Sequence, residues 1–234
     1  SRLPLMLETA YAKINLALHV RAREPDGYHR LETLFAFCVD GDTLEARPAD
    51  ALELEIGGPM EGDLAAEPDN IVLRAARLLQ RDGNVSAGAS LTLTKRLPVA
   101  AGLGGGSADA AAALRLLNRK WGLDYGRARL EKLPASLGAD VPACIGSEAV
   151  RGEGRGDRLS PAGGFGLAGT RILLVNPRVP LSTPSVFRQW DGLDRGPLSD
   201  DWKNGRNDLE PAALSLAPVV REALDLLQAQ PGTE

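Results

Sequence analysis

Cysteine and histidine are scarce in this chain, two of each among 234 residues, and aromatic side chains make up only 4%. Neither Cys38 nor Cys144 belongs to a CxxC pair, and no metal-ligand spacing joins them to a histidine, which argues against a zinc site. Each thiol stands in an apolar setting, as expected of buried, reduced cysteines in a cytoplasmic protein. Long apolar runs are missing as well. None approaches the roughly 20 residues that a bilayer-spanning helix needs, and no basic stretch leads into an apolar one at the start, so neither a membrane partner nor a secretory signal is expected. A net charge of −4 with so few aromatics argues against a nucleic-acid surface. No Gly-Lys pair occurs anywhere, which excludes the GxxxxGK[ST] nucleotide loop. There is no internal repeat or low-complexity tract.

What is present centres on Leu97 to Leu117, LPVAAGLGGGSADAAAALRLL. Ala89 to Lys95 (ASLTLTK) alternates apolar and polar residues as a half-buried strand does, and the Ala-rich run after Gly106 is a strong helix former. The order is therefore strand, glycine loop, helix. Backbone N–H groups of such a loop and of the first helical turn can converge on one anion, with the helix dipole adding partial positive charge. The dinucleotide pattern GxGxxG fits poorly, because Ser107 stands where its third glycine belongs. A loop for a nucleotide triphosphate remains, beside the plainer alternative of a glycine turn that lets a small-residue helix pack closely.

Elsewhere single features leave their roles open. Leu7 to Val20 reads as a strand in which Lys13 and Asn15, two apart, project from one face, suiting either a polar pair in a cleft or an edge facing water. Pro25-Asp26-Gly27 is a turn signal that presents Tyr28 and His29, a pair able to stack on and hydrogen-bond a nucleobase, or an ordinary turn with a packed tyrosine. Leu31 to Val39 and Asp42 to Ile56 read as strands joined at Asp40-Gly41, with an irregular link at Pro48. Asn70 is a cap candidate for a helix over IVLRAARLLQRDG, and Asp124 to Ser136 predicts another. Asp140 could cap the short segment VPACI or serve as a catalytic base. Thr170 to Val175 (TRILLV) predicts a buried strand, and Asn207-Asp208 and Ala217 to Gln228 predict two helices. The Gly-rich charged stretch Ala149 to Arg158 marks a boundary, giving domains over 1–155 and 156–234.

Taken together, PVAAGLGGGSADAAAAL, AYAKINLALHV, PDGYHRLETLF, LGADVP and NDLEP resemble the GHMP kinases, in consistent order from Ala12 to about Glu210. Within them they are similar to the branch whose acceptor is a cytidine diphosphate sugar alcohol, phosphorylated on its 2-hydroxyl in non-mevalonate isoprenoid synthesis. The resemblance implies an α+β fold, with an N-terminal domain like domain 2 of ribosomal protein S5 and a ferredoxin-like C-terminal domain. It implies ATP as co-substrate with Mg²⁺, Ser107 standing near the metal and no carboxylate identified for it. Lys13 and Asp140 fall on the family's catalytic lysine and aspartate. Lys95 and the run Pro98, Val99, Ala100, Ala101, Gly102, Leu103, Gly104, Gly105, Gly106, Ser107 and Ala108 fall on ATP-binding positions. Asn15, Tyr28, His29 and Phe187 fall on substrate-binding positions, with Tyr28 and Phe187 bracketing cytosine and His29 reading its polar edge. One departure stands out: the family's third glycine-rich segment is missing, so the chain looks incomplete and its second domain truncated. The resemblance leaves the oligomeric state open. The rival readings are a sister GHMP kinase with another alcohol, and a non-catalytic nucleotide- or RNA-binding module on the same scaffold.

Overall fold

Alternating burial along two long strands organises the chain, and a computed structural model describes residues 5–61, 69–99, 101–162, 166–199 and 201–231 of it. Strand β1 covers Met6–Arg23 and β2 covers His29–Arg47, and the two pair with each other. The turn between them is the one that Pro25-Asp26-Gly27 predicts: Gly27 takes a φ of 87°, and the Asp26 carboxylate accepts the Tyr28 N–H at 3.1 Å.

No turn interrupts β2 at Asp40-Gly41, contrary to the sequence reading. The glycine is there because β1 passes close by: a Cβ at Gly41 would lie 2.1 Å from the Ala10 carbonyl oxygen. Strand β3, Leu52–Gly57, is separate. The chain falls into two compact units, one made of Ser1–Ile14, Ala36–Val99 and Leu103–Glu148, the other of Asn15–Phe35, Ala100–Gly102 and Ala149–Glu234.

In the first unit β3 lies parallel to β4, Ala89–Thr94, which runs antiparallel to the Thr43–Arg47 end of β2. Helix α1, Ile71–Asp82, starts where Asn70 accepts the Val72 N–H at 2.9 Å, the predicted cap. Helix α2, Gly105–Lys120, is buried along Ala108–Leu114 and again at Leu116 and Leu117. Its run of alanines has no bulk to hold neighbours away, so α1, the sheet and the helices that follow close around it in one core with Leu44, Leu79, Leu91 and Val141. Those helices are α3, Arg127–Lys132, and α4, Val141–Gly146. The predicted helix over Asp124 to Ser136 is shorter than expected. Asp124 takes a φ of 52°, and the end from Leu133 to Ser136 tightens into a 3-10 turn containing Pro134.

In the second unit Leu31–Phe35 of β2 pairs antiparallel with β5, Val150–Gly154, and β5 with β6, Arg158–Pro161. Helices α5, Thr183–Arg188, and α6, Glu210–Leu216, pack an apolar cluster of Val20, Val186, Trp190, Leu209 and Ala212. Helix α7 spans Val219–Gln228. Asp208, buried, accepts the Val20 N–H at 2.8 Å and pairs with Arg206 at 2.7 Å, which gives the NDLEP stretch a structural part. The strand expected over Thr170 to Val175 does not form. Ile172, Leu173, Leu174 and Val175 are exposed, and among the described residues no strand pairs with them. An apolar run shows that a segment can pair, not that a partner is at hand.

Candidate active site

Two glycines with positive φ, Gly102 at 74° and Gly104 at 64°, shape the turn that leads from the end of β4 into α2. No side chain caps α2, so the N–H groups of its first turn have no capping side-chain acceptor at the positive end of a 16-residue helix. Backbone donors at such an end are able to hold an anion.

Lys13 of β1 lies against this turn. Its N–H donates to the Leu103 carbonyl at 2.9 Å, and a Cβ added at Gly104 would stand 3.0 Å from the Lys13 Cε. The glycine is therefore required twice, by its backbone angle and by the lysine. From this buried position the Lys13 ammonium reaches Asp140, Nζ to Oδ2 3.3 Å. Asp140 stands immediately before α4 and makes no side-chain cap bond; its carboxylate remains 39% exposed. The capping reading of Asp140 is thus not what the structure shows. Ser107, in the first turn of α2, stands beside the Leu137-Gly138-Ala139 segment, its Oγ 3.9 Å from where a Gly138 Cβ would be. An ammonium, a half-exposed carboxylate and converging N–H groups can together bind an anionic phosphoryl donor and accept a proton from an alcohol.

Beneath the loop, Lys95 is buried between two carboxylates. Its Nζ donates to Asp42 Oδ2 and, at 2.8 Å, to Asp109 Oδ2 on α2. The other oxygen of Asp42 accepts the backbone N–H groups of Arg96 and Leu97. Burial works against the Lys95 charge, but Asp109 and then Asp42 outweigh it and hold its pKa above the ordinary lysine value. Burial also pushes the Asp109 carboxyl up to about 7 despite Lys95, and its Oδ1 has no hydrogen-bond partner.

In the second unit His29 is buried, its ring 5.1 Å from that of Phe187 and edge-on to Trp190 at 5.7 Å. Arg23 Nε donates to His29 Nε2 at 3.2 Å, which leaves Nδ1 to carry the proton of the neutral ring. Burial, then the Arg23 charge, lowers the His29 pKa, so the neutral form prevails at pH 7. Tyr28 is exposed with the Arg155 guanidinium 4.1 Å from its ring centre, and Asn15 donates to Thr33 Oγ1 at 2.6 Å.

Comparison with known proteins places the chain among small-molecule kinases. The family model "GHMP kinases N terminal domain" matches residues 70–148, from the cap of α1 through α4. A 4-diphosphocytidyl-2-C-methyl-D-erythritol kinase of Rhizorhabdus wittichii is 53% identical over 232 residues, 96% of this chain and 79% of the relative. One of the same name from Novosphingobium aromaticivorans is 52% identical over 226 residues, 94% and 76% of the two chains. The chain belongs to the 4-diphosphocytidyl-2-C-methyl-D-erythritol kinase family. A crystal structure of a 4-(cytidine 5'-diphospho)-2C-methyl-D-erythritol kinase superposes with a TM-score of 0.73 at 32% identity, covering 96% of this chain and 83% of that one. The α+β fold is accordingly that of a GHMP kinase, a small-molecule kinase family whose phosphoryl donor is ATP.

For this member of the kinase family, then, the structure brings Lys13, Asp140, Gly104 and Ser107 into one neighbourhood, and His29 and Phe187 into another. Lys95 is placed under the loop rather than on its surface. Ala100 lies outside the described residues. Sequence reasoning missed Asp42, Asp109 and Trp190. A signal existed for the first: Asp42, Leu44 and Ala46 alternate along β2 and are all buried, so Asp42 is a carboxylate on an apolar face. Trp190 stands in a stretch with no periodicity to reveal its burial.

Proposed function

We propose that the chain transfers the γ-phosphoryl group of ATP to the 2-hydroxyl of 4-diphosphocytidyl-2-C-methyl-D-erythritol, a step of non-mevalonate isoprenoid synthesis. The observation that carries this reading is the Lys13–Asp140 pair beside an uncapped glycine loop. The acceptor is a tertiary hydroxyl, crowded and weakly nucleophilic, and the phosphoryl group it attacks is surrounded by negative oxygen. Catalysis is therefore chiefly positioning and charge. The Asp140 carboxylate accepts the hydroxyl proton as oxygen attacks phosphorus and ADP leaves. The Lys13 ammonium offsets negative charge near the reacting oxygens. Backbone from Pro98 to Ala108 cradles the phosphates.

Mg²⁺ would enter with ATP. Among the described residues no group of three or more His, Cys, Asp or Glu could hold a resident ion, and a metal carried on phosphates needs only one or two protein oxygens. Ser107 would supply one of them. Bound there, the ion would neutralise charge on the transferring group.

Asn15, Tyr28, His29 and Phe187 would bind the cytidine substrate, the aromatic rings by stacking and His29 by hydrogen bonding. Stacking tolerates any flat ring. Hydrogen bonding does not, because N3 of cytosine can accept the His29 Nδ1–H whereas N3 of uracil carries a hydrogen of its own. Against the uridine analogue the expected loss in kcat/KM is roughly tenfold or more, the consequence of one unsatisfied buried partner. His29→Ala erases much of that difference, whereas Tyr28→Ala weakens both substrates and leaves most of it. ADP release measured with a panel of alcohols, with and without the cytidine group, tests the assignment; equal turnover of the cytidine and uridine substrates would remove the base-reading role of this pocket.

A further inference from the structure

The chemistry just assigned gives no part to Asp42, yet this carboxylate is fully buried and spends both oxygens on the approach to the glycine loop. One oxygen holds the N–H groups of Arg96 and Leu97, the last residues before the loop begins at Pro98. The other holds the Lys95 ammonium, which crosses to Asp109 near the head of α2, where the loop ends. A Cβ at Gly105 would meet Lys95 Nζ at 3.5 Å, so the chain of contacts runs directly beneath the first turn of α2.

We propose that Asp42 is a positioning residue for the phosphate loop, fixing its strand-side end directly and its helix-side end through Lys95 and Asp109. The proposal rests on the reading of that loop as the seat of the ATP phosphates. A loop bounded by glycines is free to adopt many conformations, and its N–H groups converge on an anion only if both ends are held. Asp42 does so from a buried position, and needs no contact with nucleotide itself.

Acceptor chemistry sets the order of the variants. In Asp42→Asn an amide NH₂ replaces one acceptor and faces either the ammonium or the two backbone N–H groups, donor against donor. In Asp109→Asn the amide oxygen still accepts from Lys95, and the NH₂ takes the place of Oδ1, which has no partner to lose. Asp109→Ala cuts the link to α2 altogether.

Titration calorimetry of each full-chain variant with ATP, beside melting temperature and affinity for the cytidine substrate, separates positioning from plain packing. Asp42→Asn is expected to weaken ATP binding about tenfold or more, as the loss of a buried acceptor allows, with Asp109→Ala following the same trend and Asp109→Asn within about twofold of the parent. Affinity for the cytidine substrate is expected to hold within about twofold in all three, since none removes a group assigned to it. A lowered melting temperature with unchanged ATP affinity in Asp42→Asn and Asp109→Ala overturns the proposal. Should Asp42→Asn fail to fold, Asp109→Ala decides alone, weakened ATP binding supporting the proposal and unchanged binding overturning it. Gly104→Val is the control: if it too binds ATP as the parent does, the phosphate-loop reading fails and the proposal falls with it.

Discussion

Asp140→Asn is expected to lower kcat by about a hundredfold to ten-thousandfold, the range over which a general base contributes. ATP affinity should stay close to that of the parent. The amide keeps the shape of the side chain and an oxygen for Lys13, so the 3.3 Å contact can persist, but it neither takes a proton nor carries the charge. Folding is not at stake, because Asp140 makes no cap bond to α4 and its carboxylate is partly exposed. Single-turnover kinetics with saturating ATP isolate the chemical step. Parent-like turnover in a folded Asp140→Asn protein would end the assignment of a base here.

The second large effect is expected at Gly104. Its backbone is left-handed, φ 64°, a conformation that costs a side-chain-bearing residue about 1–2 kcal/mol. A Cβ would also stand 3.0 Å from Lys13 Cε and 3.1 Å from Lys13 Cβ. Something must give, and the far end of the lysine is what can move. Gly104→Val should therefore weaken ATP binding by disturbing the loop and slow catalysis by displacing the ammonium from Asp140. Misplacement by about 1 Å can cost on the order of a hundredfold, and we expect at least that loss in kcat/KM for ATP. Gly105→Ala is the matched comparison: its Cβ would meet only the Lys95 Nζ at 3.5 Å and Asp42 Oδ2 at 3.9 Å, ordinary contacts, and α2 accepts alanine readily. If both substitutions behave alike, the close approach of Lys13 is not what Gly104 is for.

Much of the architecture was legible because local chemistry and tertiary demand agree. Asn70 caps α1, glycines end β4's run into α2, and the Ala-rich stretch forms the buried helix that its composition favours. Lys13 and Asp140 show where such reading stops. They are brought to 3.3 Å from distant parts of the chain, and nothing in the spacing of either residue announces the other; only the resemblance of whole segments to a kinase family pairs them. Asp42 was hidden by a false turn signal. Asp-Gly-Asp reads as a break between strands, whereas Gly41 is there to let β1 pass and Asp42 turns inward beneath the loop. Thr170 to Val175 failed for the opposite reason: its apolar run meets every local criterion for a strand, but pairing is a property of two segments.

The central claim is a phosphoryl transfer to one hydroxyl of one alcohol. Phosphorus NMR of the reaction between ATP and 4-diphosphocytidyl-2-C-methyl-D-erythritol, with the chain and Mg²⁺ present, tests it most directly. The account predicts a new phosphomonoester signal on the 2-oxygen, growing in step with ADP while the diphosphate of the substrate stays intact. ADP formed without that signal, or phosphate appearing on a different oxygen, would contradict it.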